Sequence, residues 1–300
     1  MTLCIHDHGA WGPPERVGAA HRLTAEVTRA ALALAREGRV IDLGRETETD
    51  APRIAPNQTP YVINTSASWR NTMKARRAQG AENEVGANLE RVGMTMHVGT
   101  HIDALGHFTI GDRMYGERDA HDVVGDRGLN ALAAEDVPPI VTRALAMDLA
   151  GLDGGAHLEA GRAIRAEDLE AWCAQTGLEP RDGDVVLIRT GWGRFFMADN
   201  ARYLAGEPGI DPGAARWLTG RGVVAIGADN MAIEVLPGVN HPTEMMPVHQ
   251  HCLVEAGVYL IENMDLDPLA EAGLREVCLV AAAPKFKGAT GSPLRPLALV

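Results

Sequence analysis

His97-Val98-Gly99-Thr100-His101-Ile102-Asp103-Ala104-Leu105-Gly106-His107 is the most informative stretch of this chain. Four side chains suited to metal ligation or proton transfer, His97, His101, Asp103 and His107, fall within it. Imidazole and carboxylate groups at this spacing can meet at one divalent cation, leaving His107 free for proton transfer. In a flat strand the side chains at 97, 99, 101 and 103 would share one face, because the strand period is two. His97 and His101 would then stand about 13 Å apart at about 3.3 Å per residue, too far to share an ion. His101 and Asp103, about 6.6 Å apart, could share one with their side chains turned inward. The chain must therefore curl between His97 and His101. Gly99 supplies the permissive backbone for that curl, and its missing Cβ leaves room for an ion or a substrate. Gly106 is a second flexible point, from which His107 can face the site from another direction. A loop of surface histidines would explain any one of the four; all four around Gly99 point to a site.

The rest of the composition suits such a site in an enzyme. At 300 residues and 46% hydrophobic, the chain can build a full core, as one large domain or two small ones. A formal net charge of −12 disfavours nucleic acid or an anionic membrane surface as partner. A small-molecule substrate and a cytoplasmic setting are expected instead. Cys4, Cys173, Cys252 and Cys278 form no CxxC pair, so neither a zinc ribbon nor a disulfide framework is indicated. No apolar run approaches the roughly 20 residues of a membrane span. The first residues, with His6, Asp7 and His8, lack the basic-then-apolar profile of a signal peptide. Aromatic residues are few, which singles out Trp11, Trp69, Trp172, Trp192 and Trp217.

Periodicity then places the elements. Leu23, Val27, Ala31 and Leu34 recur at helical spacing before Gly38, and a strand follows at Val40–Leu43. Residues 44–60 read as a long loop, a type of segment that is often functional. Residues 70–85, with Arg70, Lys74, Arg76 and Arg77, show no apolar stripe and read as a solvated flexible segment. Strand-like runs are Ile140–Thr142, Leu145–Leu149, Val185–Thr190, Val223–Ile226, Val258–Ile261 and Val277–Ala283. Between them, helices are expected at Ala166–Gln175 before Gly177, from Asp211-Pro212 through Leu218, and at Val248–Glu255 before Gly257. A Gly/Pro-rich tail ends the chain. With no repeat, low-complexity tract or linker, a single α/β domain with a mixed sheet over residues 1–300 is the simplest account.

A second polar set lies downstream. Helical geometry turns His249 and His251 about 200° apart, so at most one of them, with or without Gln250, lines a pocket. Glu262 follows the apolar run Val258 to Ile261, which puts its carboxylate at the edge of something buried, where a metal is a natural partner. Trp69 reads either as a lid that stacks on a planar substrate or as an ordinary packing residue. Asp229 and Glu234 follow a buried strand, as loop structure or as groups near the site.

These residues resemble a known family. The run from His97 to His107 is similar to the HxGTHxDxxxH signature of the cyclase family of metal-dependent hydrolases, which includes bacterial kynurenine formamidase, isatin hydrolase and a trans-dienelactone hydrolase. Tyr115-Gly116, Pro138 to Arg143, Gly183 to Val186 and Ile261-Glu262-Asn263 also look like family segments. The resemblance implies a swivelling β/β/α fold, a homodimer or homotetramer, and one or two divalent ions, Mn²⁺ or Zn²⁺. By the same resemblance His97, His101 and Asp103 are metal ligands, His107 is the general acid/base, Glu262 completes the catalytic metal site, and Trp69 binds substrate. The chain departs from the formamidases at Leu105, where they usually carry proline. The late histidine is ambiguous too: the family spacing lands on Gln250, with His249 and His251 on either side, so a one-metal site stands beside a two-metal one.

The expected chemistry is hydrolysis of a C–N bond in an amide or cyclic amide (a formamide or an isatin-like lactam) by metal-activated water. A lactone or ester is the neighbouring alternative. No Gly-x-Ser-x-Gly elbow indicates a serine hydrolase. From another class, a non-haem iron oxygenase could use His101, Asp103 and a distant His249 or His251. A non-catalytic protein with a closed structural zinc site is a third reading.

Overall fold

Val185, Val186, Leu187 and Ile188 are all fully buried, as expected of a strand covered on both faces. They lie in the middle of a nine-stranded sheet. The computed structural model describes residues 14–240 and 243–300. Cys4, His6, Asp7, His8 and Trp11 therefore lie outside the described residues. In chain order the sheet strands are β1 (Val40–Asp42), β2 (His101–Asp103), β3 (Ile140–Asp148), β4 (Val185–Arg189), β5 (Ala225–Ala228), β6 (Tyr259–Glu262), β7 (Glu276–Ala281), β8 (Gly291–Pro293) and β9 (Leu297–Leu299). Their order across the sheet is β1-β9-β7-β3-β4-β5-β6-β2-β8. The central four, β3 to β6, run parallel. Every outer pairing is antiparallel, which makes the sheet mixed as expected.

Parallel neighbours need crossover connections, and helices supply them. Five helical elements are used below: α1 (Ala25–Leu32), α2 (Trp69–Ala78), α3 (Ala166–Thr176), α4 (Pro212–Thr219) and α5, which starts as Pro247–His249 and runs on as a π-helical stretch, Gln250–Ala256. The last three bridge successive parallel strands, with α4 packed between α3 and α5. The Asp211 side chain caps α4 by accepting from the Ala214 N–H at 2.8 Å, with Pro212 in the first turn. Gly177, at φ 70°, ends α3. Under the sheet, Arg143 of β3 donates to Asp184 at 3.0 Å and to Glu276 at 2.8 Å, and so ties β3 to β7 and to the turn before β4.

Several expectations change. The two strand runs between 138 and 150 are one strand, β3, because Arg143 and Ala144 stay in the ladder between them. Val223 and Val224 precede β5 rather than form it. The Gly/Pro-rich tail supplies two sheet strands, β8 and β9, whose partners come from residues 40–42, 101–103 and 276–281. The expected flexible segment contains α2, started by Trp69 and capped by Ser68. None of its residues is buried, so it is a solvated helix, with Trp69 and Met73 one turn apart on its surface. It joins Val62–Ala67 to Leu89–Gly93, an antiparallel pair whose residues are almost all exposed. Among the described residues, no helix is long and apolar enough to cross a membrane.

Candidate metal centre

The signature divides between a turn and a strand. His101, Ile102 and Asp103 form β2, so His101 and Asp103 share one face and Ile102 points to the core. β2 lies antiparallel to β6 with Glu262 directly opposite His101. Directly opposed residues on one face are in reach of each other, and Glu262 Oε2 stands 3.2 Å from His101 Nε2. On the other side β8 places Gly291 opposite Asp103. A Cβ at Gly291 would fall 2.7 Å from His97 Cε1, so this glycine makes room for the His97 ring.

The chain does curl at Gly99, where φ is +73°. The space left by its missing Cβ is filled from the 44–60 loop, however: a Cβ there would collide with the Thr47 hydroxyl. The notch thus takes a protein side chain, not an ion or substrate. The neighbouring Thr100 hydroxyl accepts from the Arg45 N–H at 2.9 Å and donates to the Asn263 carbonyl at 2.7 Å, fastening the same loop beside the centre.

The curl brings His97 back to Asp103, with Nδ1 2.8 Å from Oδ1. His101 Nε2 lies 3.5 Å from the same oxygen. From α5, His249 Nε2 lies 3.1 Å from Glu262 Oε1 and 3.6 Å from Asp103 Oδ2. Three imidazoles and two carboxylates therefore converge. Two overlapping triads have ligand atoms close enough to hold an ion, and Asp103 belongs to both: His101, Asp103 and Glu262, and His97, Asp103 and His107. His107 stacks on His97 with ring centroids 3.9 Å apart and remains part-exposed.

The outer nitrogen of each converging ring is held. His101 Nδ1 meets the Gly99 carbonyl at 2.8 Å, His97 Nε2 the Thr290 hydroxyl at 2.9 Å, and His249 Nδ1 the Glu234 carboxylate at 2.6 Å. The inner nitrogens of His97 and His101 and both Asp103 oxygens are buried without an aligned hydrogen bond. Buried polar atoms left this way carry a cost that a shared cation would remove. The donor set of nitrogen and oxygen suits a divalent cation. The residues present fit such an ion.

The electrostatics agree. Burial disfavours the charge on His101 and His249, yet facing carboxylates outweigh it and push both pKa values up to about 10. For His101 these are Asp103 and Glu262; for His249, Glu234 and Glu262. Burial would raise Asp103, but His107 and His97 beside it, with His101, hold it well below the usual carboxylate range. His107 is pushed down to about 4, chiefly by burial.

One expectation is corrected here. Among residues 249–251 it is His249 that faces the cluster. Gln250 turns away, its amide donating to the Thr109 carbonyl at 3.0 Å, and His251 pairs with Thr219 and Glu255 on the helix surface. Trp69 is 46% exposed on α2, with the Arg70 guanidinium over its ring. Glu234 is the site neighbour that sequence reasoning left open, since only the tertiary contact with His249 separates it from an ordinary loop acid. Asp229, named with it, accepts from the Thr190 and Gly191 N–H groups at 2.8 Å, which is a structural role.

Comparison with known proteins places this geometry. Residues 41–235, more than half of the chain, match the model of a family described as "Putative cyclase". A kynurenine formamidase from Bordetella pertussis is 24% identical over 263 residues, covering 86% of this chain and 96% of that one. A solved structure described as a novel cyclase superposes with a TM-score of 0.83 at 26% identity, over 98% of this chain and 99% of that one. Isatin hydrolase A from Ralstonia solanacearum shares the fold, with a TM-score of 0.67 at 24% identity over 91% of this chain and 96% of that one. With its signature histidines and aspartate gathered at the edge of a mixed sheet, the chain belongs to this cyclase family.

Proposed function

We propose that this protein is a metal-dependent hydrolase that cleaves the C–N bond of an amide or cyclic amide in a small molecule. The observation that carries the reading is the set of buried, unpartnered inner atoms of His97, His101 and Asp103, completed by Glu262 and His249. His101, Asp103, Glu262 and His249 would hold one divalent ion, Mn²⁺ or Zn²⁺. His97 and Asp103 offer a place for a second, with His107 as the remaining group of that triad. When bound, such an ion lowers the pKa of water toward about 7 and polarises a carbonyl.

The chain's own residues supply the rest. His107 is the signature histidine that is not fully buried, and its low pKa keeps it neutral at pH 7, so its free nitrogen can accept a proton from water. Returned to the departing nitrogen, that proton makes a poor leaving group a better one. Stacking on His97 and the edge of Phe108, 4.8 Å away between centroids, fix the ring for this transfer. The 44–60 loop is fastened beside the centre through Arg45 and Thr47, which supports a part for that loop in substrate choice. Trp69 is proposed as a substrate-stacking residue by its place in the family pattern alone.

The names of the relatives set the substrates to try: N-formylkynurenine and isatin, then other small lactams, with lactones as the ester alternative. An oxygenase built on His101, Asp103 and His249 would leave Glu262 and His97 without a part. Val62, Ile63, Trp69, Val85, Leu89 and Val92 are large apolar side chains exposed on the arm around α2, which supports a homodimer or homotetramer. The cysteines Cys173, Cys252 and Cys278 are free, which suits a cytoplasmic setting. The test is a hydrolysis screen of those compounds with Mn²⁺ or Zn²⁺ supplied, run beside His107→Ala. Turnover of an amide, lost by about 10²-fold or more in the variant with metal content unchanged, is expected. No hydrolysis of any of them, or full activity without the His107 ring, would refute the assignment.

A further inference from the structure

The three rings that face the centre are backed by different groups. A carbonyl backs His101 and a hydroxyl backs His97, both neutral, whereas a carboxylate backs His249. Glu234 and His249 are each 2% exposed, so this contact is made away from water. We propose that Glu234 is a positioning residue for the centre: it fixes the His249 ring so that Nε2 is aimed between Asp103 and Glu262, and thereby sets how tightly that half of the centre takes a divalent cation. The inference rests on reading the cluster as a metal centre and adds to that reading a residue outside the ligand set.

Three contacts immobilise the carboxylate. Oε1 accepts from His249 Nδ1 at 2.6 Å and from the His249 N–H at 3.0 Å, and Oε2 accepts from the Val248 N–H at 3.3 Å. Those two N–H groups belong to the first turn of α5, where backbone donors have no partner within the helix. One side chain therefore anchors both the helix entry and the ring that the helix carries. A carboxylate only accepts, so Nδ1 keeps its proton against Glu234, and it is Nε2 that loses its proton and turns a lone pair inward when a cation binds. A ring backed by a carboxylate is also a stronger donor than one backed by a neutral group. The centre thus has one charged outer support, placed on the ring that comes from the helix and not from the signature strand.

The test is Zn²⁺ affinity of the full-length protein, measured by competition with a chromophoric chelator, with the thermal midpoint of the metal-free protein recorded alongside. Glu234→Ala should weaken Zn²⁺ binding by about 10- to 100-fold. Glu234→Gln keeps an oxygen that accepts from Nδ1 but lacks the charge, and should fall between the two, about 3- to 10-fold weaker than the parent. A residue that only capped α5 would lower the midpoint and leave the Zn²⁺ affinity unchanged; that result overturns the proposal, as does an equal loss in both variants. Should the alanine variant fail to fold, parental affinity in Glu234→Gln overturns it. A protein that binds Zn²⁺ with the expected variant pattern, yet hydrolyses no amide, would refute the functional reading and uphold this one. A parent protein that binds neither Zn²⁺ nor Mn²⁺ would remove both.

Discussion

Loading the centre with a divalent ion should release protons, and the number can be worked out from the geometry. In the metal-free protein His101 and His249 each carry a proton up to about pH 10, because Asp103, Glu262 and Glu234 surround them. A nitrogen that donates a lone pair to a metal must first lose its proton. At pH 7, roughly three units below that pKa, deprotonation costs about 4 kcal/mol per ring and about 8 kcal/mol for the pair, as an order of magnitude. His107, held near 4, is already neutral and contributes no proton. If both rings become ligands, about two protons leave per filled centre and the affinity rises about 100-fold per pH unit between pH 7 and 9; one ring gives about one proton and 10-fold. The sign for the metal-free fold is the reverse. Both pKa values are raised above the ordinary histidine value, so their contribution to stability is complete below about pH 6.5 and is lost as the pH rises toward 10. Titration calorimetry with Mn²⁺ in two buffers of different protonation enthalpy, at pH 7 and pH 8, counts the protons directly. Binding that releases none, at an affinity independent of pH, would refute the placement of these rings as protonated donors.

Two further outcomes follow from the same contacts. Asp103→Ala should leave the purified protein with little bound metal by emission spectroscopy, because both candidate triads share this carboxylate; parental metal content would remove Asp103 from the centre. Gly99→Ala should cost about 1–3 kcal/mol, since the new methyl meets Thr47 and alanine disfavours φ +73°. Adding Thr47→Ala should recover the part due to the collision and not the part due to φ, as read by chemical denaturation. A single variant as stable as the parent would show that the notch is not filled.

Much of the centre was legible because its residues are close in sequence. The spacing of His97, His101 and Asp103 already required a curl at Gly99, and strand alternation already put His101 and Asp103 on one face. The apolar run before Glu262 announced a buried edge, and β6 ends there. Less legible were features whose cause is remote. Residues 284–300 look like tail by composition, yet β8 and β9 form because distant strand edges offer them hydrogen bonds and Gly291 gives the His97 ring its space. The α2 segment buries none of its residues, so periodicity missed a helix held by its Ser68 cap and by bonds from Trp69 and Thr72 to Asn88 and Ala87.

From the amino-acid order alone came the alternation of strands and crossover helices, the donor chemistry and the turn at Gly99, since each is set by neighbours within a few residues. Only the tertiary structure chose His249 over Gln250 and His251, put Thr47 rather than an ion in the Gly99 notch, and joined Glu234 to the centre. Those choices depend on register between β2 and β6 and on how α5 enters after residue 246, long-range packing that no local pattern encodes.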